Sequence, residues 1–226
     1  MKLRKQTVAI IVLVYLGIGA AGLLAQEGLL WVDKFSGKKT DEGIPAGWKL
    51  DVRTGDSDVS LVEAKGNYWV QFRSQNSSFG LRKEVSFDIK EYPYLNWSWK
   101  VAKLPEKGDF RKKNQDDQAA QIYVLFPRWP AKVNTDVVGY LWESNAKNKG
   151  LEGESPAWSK SKVIVLQAGP EKLQQWVEEK RNVYEDYKKL FGKEPPNVGG
   201  LSIYINTQHT QGTAESFFDT IYFSKN

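Results

Sequence analysis

Two adjacent carboxylates, Asp116 and Asp117, open the run Asp-Asp-Gln-Ala-Ala-Gln-Ile-Tyr-Val-Leu-Phe-Pro that ends at Pro127. Acids held at the mouth of an apolar strand can act as acid or base in glycosidic cleavage, given a second carboxylate roughly 5–10 Å across the scissile bond. Asp186, Glu179 and Asp219 can supply that partner, and Asp186 completes the catalytic candidate set with Asp116 and Asp117. The same acids can instead accept backbone N–H bonds or pair with Arg181 and so fix the strand's rim. Spacing leaves both readings open.

The rest of the chemical inventory is narrow. The chain has one histidine, His209, and no cysteine, so a His- or Cys-rich zinc, haem or iron–sulfur site is not available. A Ser-His-Asp arrangement would have to use His209, which lies in the polar Asn206–Gly212 loop with no nucleophile-elbow motif nearby. No glycine-rich phosphate loop is present. A structural calcium ion on carboxylates and carbonyls is the one cofactor left open, although no Asp-x-Asp-x-Asp run supports it. No cofactor and no metal site are expected. Two loop tryptophans remain: Trp129, bracketed by Pro127 and Pro130, and Trp158, in a Gly/Ser/Pro-rich stretch. Each can present a flat indole to a sugar ring, or fold back as a plug. With Asp117 and Arg181 they form the expected ligand-binding set.

Strands must position these residues. Within Asp116–Pro127, Ala120, Ile122, Val124 and Phe126 share one parity, and Gln121, Tyr123 and Leu125 the other, which suits an inner strand covered on both sides. Tyr94 to Val101 alternates strictly, with Leu95, Trp97, Trp99 and Val101 on its apolar face, so both tryptophans are assigned to the core. Similar short runs recur from Leu29 to Phe223. Val183 to Phe191 has helical spacing with Gly192 as its stop, whereas Glu171 to Asn182 reads equally as helix or strand. Many short strands and one helix in the C-terminal half predict an all-β, jelly-roll-like sandwich of about ten strands.

The first 25 residues stand apart. Three positive charges within Met1–Lys5 precede seventeen uncharged residues from Val8 to Leu24, the pattern of a secretory signal peptide or of an N-terminal anchor. Residues 26–226 then make one β-sandwich domain, periplasmic or secreted, free of the membrane once the signal is cut. Without Lys2, Arg4 and Lys5 the 32 basic residues fall to 29 against 27 acidic, net +2. That balance gives no basic footprint for nucleic acid. Without cysteine, stability must come from packing.

Four segments carry a family resemblance: Leu95-Asn96-Trp97-Ser98-Trp99-Lys100-Val101; Asp116 to Phe126; Trp176 to Gly192, with Arg181-Asn182-Val183-Tyr184-Glu185-Asp186-Tyr187 and Phe191-Gly192; and Phe218-Asp219-Thr220-Ile221-Tyr222-Phe223. In this order the chain resembles the exported bacterial proteins of domain of unknown function 3047. The resemblance implies an envelope β-sandwich of uncharacterised role. Where that family is expected to carry two aspartates in the penultimate loop, this chain has Asn206 and Gln208, so a cation held there in relatives would be held weakly or not at all. The closing strand also resembles jelly-roll carbohydrate-binding modules, at the level of fold only. Three functions compete: chemistry-free binding of a saccharide or other envelope ligand, a carboxylate-dependent glycan hydrolase or lyase, and a purely structural envelope protein.

Overall fold

Leu95, Trp97, Trp99 and Val101 are all buried on one face of one strand, as their spacing predicts. The computed structural model describes residues 25, 26, 28–131 and 133–226. The signal-segment reading therefore falls outside the described residues, Ala25 excepted. Along the chain come β1 (Ala25–Gln26), β2 (Leu29–Asp33), β3 (Lys49–Thr54), β4 (Asp58–Ala64), β5 (Asn67–Gln75), β6 (Ser78–Phe87), β7 (Tyr94–Lys103) and β8 (Ala120–Pro127). Then follow β9 (Thr135–Glu143), β10 (Glu152–Ser155), β11 (Trp158–Ala168), β12 (Val177–Asn182), the helix α1 (Val183–Phe191), β13 (Val198–Asn206) and β14 (Thr213–Ser224).

These strands make a sandwich of two seven-stranded sheets. In the first, β14 is the spine. β7 runs beside it and carries β12 on its far edge, while β5 flanks the first half of β14 and β2 the second. The partner changes at Thr220, whose φ of 45° marks a bulge between Asp219 and Tyr222. The second sheet runs β10-β11-β9-β8-β13-β6-β3, antiparallel except for the β9–β11 pair.

Alternation alone counts about ten strands; the additional ones are the short β1, the β10 hairpin arm and β12. Val177–Asn182 is extended because it fills the open ladder of β7, from Val177 opposite Trp99 to Asn182 opposite Tyr94. Unpaired backbone groups on that edge outweigh the helical spacing of its side chains. The helix begins one residue later. Asn182 caps it by accepting from Glu185 N at 3.1 Å, and Gly192, at φ 66°, ends it with an N–H to Lys188 O at 2.8 Å.

The core is an aromatic seam between the sheets. Trp97 stacks on Tyr140 at 5.4 Å between centroids, and Trp99 meets Trp142 edge-on at 5.7 Å. Phe72, Phe79, Phe218 and Phe126 extend the seam. Among the described residues no helix is long and apolar enough to cross a membrane.

Candidate ligand-binding groove

The outer face of the second sheet holds the candidate site. Half of this face is covered. The Leu104–Gln118 loop folds across β9, β10 and β11, and its Phe110 forms a small separate core with Leu141, Val163 and Val165. Two acids anchor that loop. Asp109 takes hydrogen bonds from Arg111 and from Asn148 Nδ2 at 3.0 Å, which hold its carboxyl far below the usual carboxylate range. Glu143 accepts from Phe110 N at 3.0 Å and Ser144 N at 2.9 Å, yet its complete burial pushes it up to about 7.

The other half is open, as a groove of about 460 Å³, within the range of small-ligand sites. Register defines its floor. One row crosses the sheet as Gly139, Tyr123, Ser202, Arg82; the next as Leu141, Gln121, Tyr204, Gly80, Asp51. Both tyrosines lie flat because their cross-strand neighbours are glycines. A Cβ at Gly139 would stand 2.5 Å from the Tyr123 ring, and one at Gly80 2.3 Å from the Tyr204 ring.

Both phenols are donors. Tyr123 donates to Gln121 Oε1 and Tyr204 to Asp51 Oδ2, and burial pushes both hydroxyls well above the usual tyrosine range. Neither is a base near neutral pH. Tyr204 is only 5% exposed, because the Arg53 guanidinium lies 4.9 Å above its ring. Trp158, at the β10–β11 hairpin, lines the opposite part of the groove and is 39% exposed.

Asn206 ties the rim together. Its Oδ1 accepts from Gln118 N at 2.8 Å and Gln121 Nε2 at 2.6 Å, while its Nδ2 donates to Asp116 O at 2.5 Å. An aspartate could not make the last bond, which accounts for an amide at this position. Asp116 lines the groove, accepts from Gln118 Nε2 at 3.0 Å, and is pushed up to about 6 by burial. Gln208, beside it, has a buried Oε1 with no protein donor.

The structure separates the residues singled out from sequence. Of Asp116, Asp117 and Asp186, only Asp116 faces the groove. Asp117 is buried and accepts from His209 N at 3.1 Å and Thr210 N at 2.6 Å, closing the loop before β14. Asp186 and Arg181 form a bidentate pair with contacts of 2.6 and 3.0 Å beneath α1, and Tyr140 donates to Asp186 at 2.7 Å. That pair lies outside the groove lining. Trp129 is 91% exposed on the β8–β9 loop, between the groove-lining Pro127 and Ala131. Its neighbour Arg128 braces the loop through Asp136 at 3.0 Å and the Tyr187 hydroxyl at 2.9 Å. Asp51, Arg53, Arg82 and Tyr204 were not legible as site residues, since only cross-strand register brings them together. Among the described residues no group of three or more potential metal ligands occurs.

The model of the family described as protein of unknown function (DUF3047) matches residues 46–222, and the chain belongs to that family. This bears out the resemblance carried by the four sequence segments. No curated protein matches the chain. Among solved structures, the family 11 carbohydrate-binding module of the Clostridium thermocellum cellulosomal cellulase Lic26A-Cel5E is similar at 8% identity and TM-score 0.47, covering 88% of this chain and 96% of that one. The family 30 module of another cellulosomal cellulase of C. thermocellum gives 11% identity and TM-score 0.46, over 80% and 92% of the two chains. The CBM22-1 xylan-binding domain of Paenibacillus barcinonensis Xyn10C gives 15% and 0.38, over 85% and 92%. At such identities the likeness extends to the fold alone.

Proposed function

We propose that this DUF3047 protein is an exported binding protein that holds a saccharide in the groove of its second sheet without chemical conversion. The observation that carries the reading is the mixed lining of an open sheet face. A half-exposed Trp158 shares the lining with hydroxyls and amides, among them those of Ser161, Ser202, Thr135, Gln121 and Gln208. Sugars offer an apolar C–H face ringed by hydroxyls, so they suit an indole beside planar amides better than a purely apolar or purely charged ligand does. Trp129, presented by a braced loop at the Pro127 end, is suited to extend the contact. Export is supported by the basic and apolar pattern of the first 25 residues.

One observation favours hydrolysis as a second reading: Asp116 is a groove carboxyl held up to about 6, a value suited to a general acid. Release of reducing ends from a bound oligosaccharide would support that alternative.

The test is a glycan array with the full chain, followed by titration of the best hit. Trp158→Ala should keep the melting temperature within a few degrees and weaken binding about tenfold or more, as loss of an anchor at a binding surface does. If no glycan binds, or Trp158→Ala binds as wild type does, the reading is wrong.

A further inference from the structure

Six arginines lie among the described residues, and four of them are in ion pairs. Arg73 pairs with Glu215 at 3.0 Å, Arg111 with Asp109 at 2.9 Å, Arg128 with Asp136 at 3.0 Å and Arg181 with Asp186 at 2.6 Å. The two without an acidic partner among the described residues, Arg53 and Arg82, both line the same groove. We propose that the groove takes an acidic saccharide, and that Arg53 and Arg82 are the contacts for its anionic groups. The inference rests on the saccharide reading and names the class of sugar.

Neither arginine is merely a solvated charge. Arg53 rests on the Tyr204 ring, which is itself seated over Gly80 and tethered to Asp51. This contact holds the guanidinium over the ring and beside the Tyr204 hydroxyl, with no acid paired to it among the described residues. Arg82 leaves the sheet beside Ser202 and lies over Gly200, whose added Cβ would stand 3.8 Å from Arg82 Nε. A free planar fork matches a carboxylate or sulfate through two parallel hydrogen bonds. The acids in the groove are not ion-paired to these donors. Asp51 accepts from Tyr204 and Asp116 from Gln118, both neutral donors; Asp51 is close enough to raise Arg53, yet neither acid forms an ion pair with an arginine among the described residues. The other titratable groups of the lining are His209 and the phenols of Tyr123 and Tyr204, both of which stay neutral near neutral pH.

Position adds a length requirement. Arg53 lies nearly opposite Ser78 and Arg82 is four residues further along β6, so their backbones are about 13 Å apart at the rise of a strand. Arg82 leans toward Gly200, away from Arg53. A ligand touching both carries anionic groups on separate sugar units.

The experiment is calorimetric titration of the full chain with an oligouronate, a sulfated oligosaccharide and a neutral oligosaccharide of equal length, with inorganic sulfate as competitor. One or both acidic sugars should bind at least tenfold tighter than the neutral one, weakening as salt rises. Arg53→Gln and Arg82→Gln should each remove most of that preference while leaving melting unchanged. The better acidic arm assigns carboxylate or sulfate. Equal or tighter binding of the neutral sugar overturns the acidic assignment and leaves the saccharide reading standing. Failure of all three sugars overturns both. Displacement by inorganic sulfate at millimolar concentration, or arginine variants that bind as wild type does, also overturns the assignment.

Discussion

Exposure divides the tryptophans of this chain: Trp97 and Trp99 are buried, whereas Trp129, Trp158 and Trp176 are exposed. Trp97 and Trp99 sit in the seam between the sheets, so replacing either with Ala should cost about 3–5 kcal/mol through loss of contacts and a cavity. Chemical denaturation checks this, and a loss under about 1 kcal/mol would show that the seam repacks. Asp116 is the residue whose charge should be felt by a ligand. Its carboxyl titrates near 6, so it becomes neutral as pH falls from 7.5 to 5.5, while a uronate or sulfate ester stays ionised. Repulsion of an acidic saccharide should therefore fade, and affinity rise several-fold, over that window. Asp51, Arg53, Arg82 and His209 share the groove, so Asp116→Asn is the control that isolates the effect. The variant should bind tightly at both pH values; a pH response that persists in it would assign the effect to another group.

Elements hold the site through a small number of buried polar links. The Leu104–Gln118 loop is one such element, and Glu143 is its pH-sensitive anchor. Because Glu143 is raised to about 7 when folded, the native state binds this proton more tightly than the unfolded chain does. Stability should therefore be greatest near pH 5 and decline as pH rises toward 8, by several degrees of melting temperature. Asp109, shifted the other way, loses its contribution only in strong acid, outside that window. Glu143→Gln should lessen the slope above about pH 6, leaving below it the part that Asp116, raised to about 6, contributes, even though the change weakens one backbone contact. An unchanged slope would show that the loop's anchor does not titrate. The rim has its own link in Asn206: Asn206→Asp would leave Asp116 O without its donor and add a second negative charge beside that residue. A cost of about 1–3 kcal/mol is expected in denaturant titrations, and an equally stable variant would remove Asn206 from its place as the rim's hub. The strands that carry these links were largely legible, because Tyr94–Val101 and Ala120–Pro127 alternate cleanly. β12 was not, because its extended form comes from an open edge of β7 rather than from its own residues. The groove was half legible: Asp116 and Trp158 could be singled out by type, but the seats of Tyr123 on Gly139 and Tyr204 on Gly80 exist only once register is set.

At the scale of the whole molecule, the sandwich divides its labour between faces. The inner faces supply stability, and α1 closes the interior through the Arg181–Asp186 pair and Tyr187, whose hydroxyl reaches Asp136 at 2.5 Å. Removing Arg181 leaves a buried carboxylate with only Tyr140 as donor, so Arg181→Ala should cost about 3–5 kcal/mol yet leave saccharide affinity unchanged. The outer face of the second sheet is left half covered and half open, and the open half collects Trp158 and the two arginines that have no acidic partner among the described residues. The most direct test of this division is amide and indole NMR of the full chain during titration with the tightest-binding oligosaccharide. The account predicts shifts gathered on the groove lining, from Trp158 and Ser161 through Tyr123, Gln121, Asp116 and Ser202 to Arg82 and the Asp51–Arg53 edge, with the Trp158 indole moving most. Shifts gathered instead around Trp69 of β5 and Trp176, just before β12, whose rings meet edge-on at 5.8 Å, or none at saturating sugar, would contradict it.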